Sequence, residues 1–285
     1  MSHTLLITGG TGYLGHHLIQ QAHFSSIHTT YFRTPPPQST PAIFHSCDLK
    51  EERQVQKLIT SIQPDVIIHT ACSNKSPEEI EAIVPAARYL ASHAQNQGIK
   101  LIHLSTDLVF DGTAAPYREE DLPNPLHPYE HAKAEAEQLI ASICPTSVII
   151  RSSLIYGINP LDHQTRWLRE GVNTDKPIRL FHDEIRSPIW VKNLANALPE
   201  LTTIDIHGIL HLAGPEGINR WDFGLAILRL LGYLPSSNIR PSTIDESGMI
   251  RPKNLTFTID KAQSVLRTPF LSISEVTQQL QETPS

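Results

Sequence analysis

Tyr129-Glu130-His131-Ala132-Lys133 places a phenol and an ammonium four residues apart, which on a helix is one face. A tyrosine with an ordinary pKa of about 10 is a poor acid or base at neutral pH unless a cation favours its phenolate. Lys133 and an oxidised nicotinamide would together lower that pKa. Tyr129 can then give a proton to an alkoxide forming from a ketone and recover it in the reverse direction. Ser105-Thr106-Asp107 ends an apolar run. The Thr106 hydroxyl at such a strand end can hold a carbonyl oxygen for hydride attack, although Ser and Thr also cap strand ends with no chemistry attached. Asp111-Gly112 just beyond reads as a turn, with no chemical role.

A hydride needs a carrier, and the start of the chain offers a seat for one. The run Leu5-Leu6-Ile7-Thr8 stops at Gly9-Gly10-Thr11-Gly12-Tyr13-Leu14-Gly15, and an amphipathic segment follows with Leu14, Leu18, Ile19 and Ala22. This is the pattern of a buried strand, a tight turn and a helix whose free N–H groups suit a pyrophosphate. Gly9 allows the turn, Gly12 the close approach of phosphate, and Gly15 the packing of helix on strand. The spacing is Gly-x-x-Gly-x-x-Gly rather than G-x-G-x-x-G, so the turn needs support from the rest of the chain.

That support lies in the order of elements. Strand-like runs at Ile27–Phe32, Ile43–Cys47, Val66–Ala71, Lys100–Thr106 and Ser147–Arg151 alternate with helical patterns at Val55–Ile62, Pro77–Gln97 and Tyr129–Ile143. Gly98 stops the second of these helices as a C-cap would. The prolines of Thr34–Pro41 exclude helix or central strand there. Strands of continuous Val, Ile and Leu imply a parallel sheet covered on both faces. Right-handed crossovers then give an α/β, Rossmann-type doubly wound sheet with its ligands beyond the carboxyl ends of the strands. Thr8, Arg33, Asp48, Thr70 and Thr106 all fall at such ends. The expected division is a dinucleotide-binding domain over residues 1–151 and a smaller substrate-binding lobe over residues 152–285, interleaved with the sheet's last strands. Helices at Val191–Leu201 and Asp222–Leu231 and a strand at Ile209–Ala213 belong to the second part.

Composition sets bounds. The chain has 285 residues, 40% hydrophobic and 18% charged, with a net charge of −6. These values describe an ordinary globular protein. No basic run is long enough to follow a phosphate backbone, so nucleic acid is excluded as a partner. No apolar stretch has the length to span a bilayer, and no leader pattern precedes the first strand. Cys47, Cys72 and Cys144 lack metal-ligand spacing and read as reduced thiols in a cytoplasmic protein. The fifteen histidines are scattered, and His16-His17 read as surface or packing residues. No metal site is expected. The sequence leaves room for a homodimer.

The strings Thr8–Gly15, Ser105-Thr106-Asp107-Leu108-Val109-Phe110-Asp111-Gly112 and Tyr129–Lys133 together resemble the extended short-chain dehydrogenase/reductase family, and within it the dTDP-4-dehydrorhamnose reductase branch. Arg151-Ser152-Ser153, Ser187-Pro188 and Arg251-Pro252 carry the resemblance through nearly the whole chain. It implies Thr106, Tyr129 and Lys133 as the catalytic triad. Gly9, Thr11, Gly12, Tyr13, Leu14, Gly15, Thr70, Ala71 and Cys72 would lie along the cofactor with Tyr129 and Lys133, and Asp48 and Leu49 at its adenine. Asp107 would orient a nucleotide-linked sugar, with Leu154, Arg186 and Arg251 also on the substrate side. NAD-dependent relatives carry an acidic residue at the end of the second strand. Arg33 stands there instead and favours NADP(H) over NAD(H).

Three positions depart from the branch. Leu154 replaces a tryptophan. Arg186 replaces a glycine and can either clamp a phosphate or carboxylate or bridge to an acidic neighbour. Ile83 falls where many relatives have an asparagine in the fourth helix that supports a proton relay. The leading expectation is an NADP-dependent reductase of a 4-keto nucleotide sugar or related carbonyl. The alternatives are a nucleotide-sugar epimerase or dehydratase with tightly held NAD, and a regulatory module that keeps the fold and nucleotide without turnover. The regulatory subunit of methionine adenosyltransferase, which resembles this branch, is an instance of the last.

Overall fold

A computed structural model describes residues 3–37, 39–73, 76–172, 174, 177–234 and 238–282; Gln38 of the proline-rich loop lies outside them. The first six strands are β1 (Thr4–Thr8), β2 (Ser26–Tyr31), β3 (Ile43–Ser46), β4 (Val66–His69), β5 (Lys100–Thr106) and β6 (Val148–Ser152). The Gly208–Leu212 strand joins them in one seven-stranded sheet. Its order is Gly208–Leu212, β6, β5, β4, β1, β2, β3, and every neighbouring pair is parallel. The first six strands lie within residues 4–152 and the seventh comes from beyond them, so the sheet is completed by the later part of the chain.

The unbroken apolar runs serve two cores. Leu5, Ile7, Ile68 and Ile102 face one side with Leu14, Leu18 and Ile19 of α1 (Tyr13–Gln21). Leu6, Ile67, Leu101 and Ile149 face the other, with Val55 and Ile59 of α2 (Glu52–Ile62). Successive strand residues point to opposite faces, so a strand buried on both sides must be apolar throughout.

The expected helix at Pro77–Gln97 forms as two, α3 (Pro77–Glu81) and α4 (Ile83–Gln97). Pro85 explains the break: it has no N–H for the Glu81 carbonyl, and its ring crowds that oxygen. Gly98 ends α4 in the left-handed region at φ 66°, as its position predicts. Helix α5 (Pro128–Ile143) starts at a capping box in which the Glu130 carboxylate accepts from the N–H groups of Leu126 and His127.

Helices α6 (His163–Val172), α7 (Val191–Glu200) and α8 (Arg220–Leu230) follow. Helix α7 packs on α1. Short strand pairs complete this half: Ile155–Tyr156 with Ile189–Trp190, Ile185–Arg186 with Ile218–Asn219, and Ile178–Phe181 with Ile239–Ser242. Among the described residues no helix is long and apolar enough to cross a membrane.

Candidate active site

Strand order reverses at β1, which lies between β4 and β2, and a crevice opens there beyond the strand ends. The glycine turn builds its floor. Gly9 has φ 80°, and a Cβ on it would stand 3.0 Å from the Ala71 backbone. A Cβ on Gly15 would fall 2.2 Å from the Gly9 carbonyl oxygen, so only glycine lets α1 approach the turn. Gly12 N–H donates to the Gly9 carbonyl at 2.9 Å. Gly12 then serves as N-cap of α1 without a side-chain cap, and the first turn holds no acidic residue. Its exposed N–H groups and positive end are left to an anion. The glycines whose Cβ atoms would collide and the uncapped helix start fit a dinucleotide pyrophosphate.

The crevice encloses about 380 Å³, and Gly9, Thr11, Gly12, Tyr13, Leu14, Gly15, Arg33, Asp48, Leu49, Thr70, Ala71 and Cys72 all line it. At one end Arg33, largely exposed, has Nη1 4.0 Å from Glu78 Oε2. The Asp48 carboxylate accepts from Lys50 N–H at 3.0 Å. On the β1–β4 side Thr70 Oγ1 donates to the Thr8 carbonyl at 2.8 Å. Cys72 takes a left-handed backbone with φ 72°, a strained state for a residue with a Cβ. Burial pushes its thiol up to about 11 against the opposing pull of the Lys133 ammonium.

Helix α5 turns one stripe toward the sheet. Tyr129, Lys133 and Glu137 follow at intervals of four. Lys133 Nζ donates to the Leu104 carbonyl of β5 at 2.9 Å. Glu137 takes the Ser105 hydroxyl of β5 and a fork of bonds from Arg151 of β6, with Nη2 at 2.9 Å and Nε at 3.1 Å. This buried pair ties the helix to two strands and sets the height of Tyr129 over the sheet. The Tyr129 phenol lies near enough to Thr106 for that hydroxyl to favour its phenolate. Burial first, and then Asp107, push the phenol above its ordinary range. The cation that opposes this rise is Arg186 rather than Lys133. Lys133, engaged with Leu104, is itself lowered by burial.

Arg186 and Asp107 find each other. Arg186 Nε donates to Asp107 Oδ2 at 2.7 Å and Nη2 donates to Oδ1. Asp107 also accepts from the hydroxyls of Ser153 at 2.6 Å and Thr106 at 3.2 Å. Of the two readings open for Arg186, the structure contains the bridge to an acidic neighbour. The chain of charge continues, with Arg186 Nη1 3.7 Å from Glu184 Oε1. Glu184 in turn receives Arg251 through Nε at 2.8 Å and Nη2 at 2.9 Å. Leu154 is buried in the hydrophobic core, where its carbonyl accepts Ile189 N–H at 2.9 Å. Asp111 accepts from Tyr117, Asn124 and Thr113 and holds the loop that follows.

Sequence reading passed over several residues here. Gly10 donates its N–H to the Thr30 carbonyl at 2.9 Å, and its missing Cβ makes room for Thr29. Glu78 and Glu79 line the crevice, and Glu79 takes the Ser73 N–H at 3.1 Å. The charged stripe Tyr129–Lys133–Glu137 was visible as a repeat of four. His69 and His103 were visible as polar residues at the end of β4 and in the middle of β5. Among the described residues no cluster has the makings of a metal site.

The chain matches the family model described as RmlD substrate binding domain over residues 3–282. By sequence it is 32% identical over 291 residues to methionine adenosyltransferase 2 subunit beta of Mus musculus, an alignment covering 94% of this chain and 85% of that protein. It is 27% identical to the probable low-salt glycan biosynthesis reductase Agl14 of Haloferax volcanii, over 79% of each. By structure, a hypothetical dTDP-4-dehydrorhamnose reductase from Sulfolobus tokodaii gives a TM-score of 0.80 at 27% identity, covering 94% of this chain and 97% of that one. A dTDP-4-dehydrorhamnose reductase from Bacillus anthracis, solved in complex with NADP, gives 0.81 at 24% identity, covering 99% and 100%.

Proposed function

Because the chain belongs to the RmlD substrate binding domain family, the dTDP-4-dehydrorhamnose reductase branch of the extended short-chain dehydrogenases/reductases, we propose that it is an NADPH-dependent reductase of a nucleotide-linked 4-keto sugar or a related carbonyl. The observation that carries this is the placing of Tyr129 and Lys133 on one face of α5 against Thr106 and Leu104 of β5, with the Lys133 charge felt at Cys72 in the crevice that the glycine turn lines. Gly9, Gly12, Gly15 and the start of α1 would hold the pyrophosphate, and Arg33 would face a 2′-phosphate. Bound NADPH supplies a hydride to the carbonyl carbon. Thr106 steadies the carbonyl oxygen, and Tyr129 passes it a proton as negative charge develops. The Arg186 guanidinium, held by Asp107, eases that transfer by favouring the phenolate Tyr129 becomes.

The test is NADPH oxidation over a panel of dTDP-, GDP- and UDP-linked keto sugars. Turnover should fall at least about a hundredfold in Tyr129→Phe while NADPH still binds. A wild-type protein that binds NADPH and oxidises it with none of the panel contradicts the proposal.

A second reading is favoured by the 32% identity to a methionine adenosyltransferase beta subunit. In it the dinucleotide is held as a structural ligand, and the protein acts on a partner enzyme. Co-purification with a methionine adenosyltransferase catalytic subunit, unchanged by Tyr129→Phe and lost with Gly12→Asp, would select it. The commitment of both Asp107 and Arg186 to each other fits this reading as well.

A further inference from the structure

Three strands carry a polar row in an otherwise apolar layer. Thr8, His69 and His103 stand side by side in register on β1, β4 and β5, all buried. Thr8 Oγ1 and His69 Nδ1 are 2.6 Å apart, and the two imidazole centroids are separated by 5.0 Å. His69 Nε2 and both ring nitrogens of His103 have no protein partner. Buried polar nitrogens seldom stay unpaired, and enclosed water is their usual partner.

Thr8 Oγ1 accepts Ala71 N–H at 3.3 Å. When its own hydrogen is given to His69 Nδ1, the ring proton of His69 sits on Nε2. Lys133 spends one N–H on the carbonyl of Leu104, the residue after His103 on β5, and has two more. Helix α4 buries only Ile83, Ala86, Ala87, Leu90, Ala91 and Ala94, none with a side-chain acceptor. Donors thus face donors, and the unprotonated nitrogen of His103 is the acceptor that the row provides.

We propose that His69 and His103 are positioning residues for Lys133, holding an enclosed water that accepts from the Lys133 ammonium and from His69 Nε2 and donates to the bare nitrogen of His103. This rests on reading Tyr129 and Lys133 as the proton-handling pair. The groups facing Lys133 are His69 and His103 from the strands, Cys72 from the loop after β4, and Glu137 one turn along α5. Glu137 is engaged by Arg151 and Ser105. Burial alone works against the ammonium, and the water bridge to a neutral imidazole restores part of its lost solvation, keeping Lys133 charged in the dry layer under the crevice.

The experiment follows the titration of Lys133 by NMR in protein carrying isotope-labelled lysine, with its signal assigned through Lys133→Arg. His103→Leu should lower the Lys133 midpoint by about one pH unit, tenfold in dissociation constant. His103→Gln, which returns an acceptor, should recover most of that shift. A folded His103→Leu protein with an unmoved Lys133 titration overturns the proposal. Should that variant not fold, a wild-type crystal structure showing ordered waters decides. A water bonded to Lys133 Nζ, His69 Nε2 and His103 is required, and a dry site overturns it. Neither measurement uses a substrate, so an inactive protein leaves this result standing, and a dry site leaves the reductase proposal standing.

Discussion

Asp107 and Arg186 form a two-pronged ion pair inside the protein, with Nε donating to Oδ2 at 2.7 Å and both side chains almost wholly buried. The pair joins the end of β5 to a short strand of the second half of the chain, beside Thr106 and Tyr129. Removing one partner leaves the other charged in a dry setting, which costs more than the pair contributes when intact. Arg186→Met should therefore lose about 3–5 kcal/mol of stability, read from the shift of the urea midpoint. The double variant with Asp107→Asn should recover much of it, because no uncompensated charge remains. An Arg186→Met protein as stable as the wild type would mean that Asp107 has another way to be neutralised.

The glycine turn makes a contrast with a distant glycine. A methyl at Gly15 would overlap the Gly9 carbonyl at 2.2 Å, whereas Gly98 has open space around it and only a left-handed backbone to lose. Gly15→Ala should abolish measurable NADPH binding in a fluorescence titration and lower the melting temperature. Gly98→Ala should cost about 1 kcal/mol and leave binding intact. Equal effects on binding would remove the turn from the cofactor site.

Arg33 and Glu78 face each other at the rim of the crevice at 4.0 Å. Arg33→Ala should weaken NADPH about tenfold and NADH hardly at all, and the gap should narrow at high salt. Glu78→Gln should strengthen NADPH by releasing Arg33 from its competitor. Equal loss for both dinucleotides would place the 2′-phosphate elsewhere.

Acid should unfold the protein through its buried histidines. His69 and His211 are pushed down to about 3, and His103 lies well below its ordinary value of 6.5, chiefly through burial. Below that value the unfolded chain takes up protons at these rings while the folded protein does not. Stability should thus be complete above pH 6.5 and fall as the pH drops toward 3, by up to about 1.4 kcal/mol per pH unit for each ring. The carboxylates held below their ordinary range, such as Glu184 and Glu200, bind protons only at lower pH and add little above pH 5. Urea midpoints at pH 7.5 and pH 5 check this, and a flat profile would mean that the rings reach water in the native state.

What the amino-acid sequence determined by itself was whatever depends on near neighbours in the chain. The glycines at 9, 12 and 15 are read within one turn, Tyr129 and Lys133 within one helical face, and the parallel sheet from apolar runs separated by single helices. Local rules of steric fit and periodicity carry these readings; Gly9 and the residues from Thr11 to Gly15 share one cleft with Arg33, Asp48 and Thr70–Cys72, whereas Tyr129 and Lys133 do not line it. The splitting of α3 from α4 was also local, written in Pro85 and overlooked.

What only the tertiary structure decided was which distant charges meet. Arg186 lies 79 positions from Asp107 in the chain, and Arg151 lies 14 positions from Glu137. His69 and His103 become neighbours only through the register of β4 with β5. A side chain's partner depends on strand order and packing height, and no period in the sequence encodes either. For that reason the pairing of Tyr129 with Lys133 on one helical face was legible before the structure was, and the charge network around it was not.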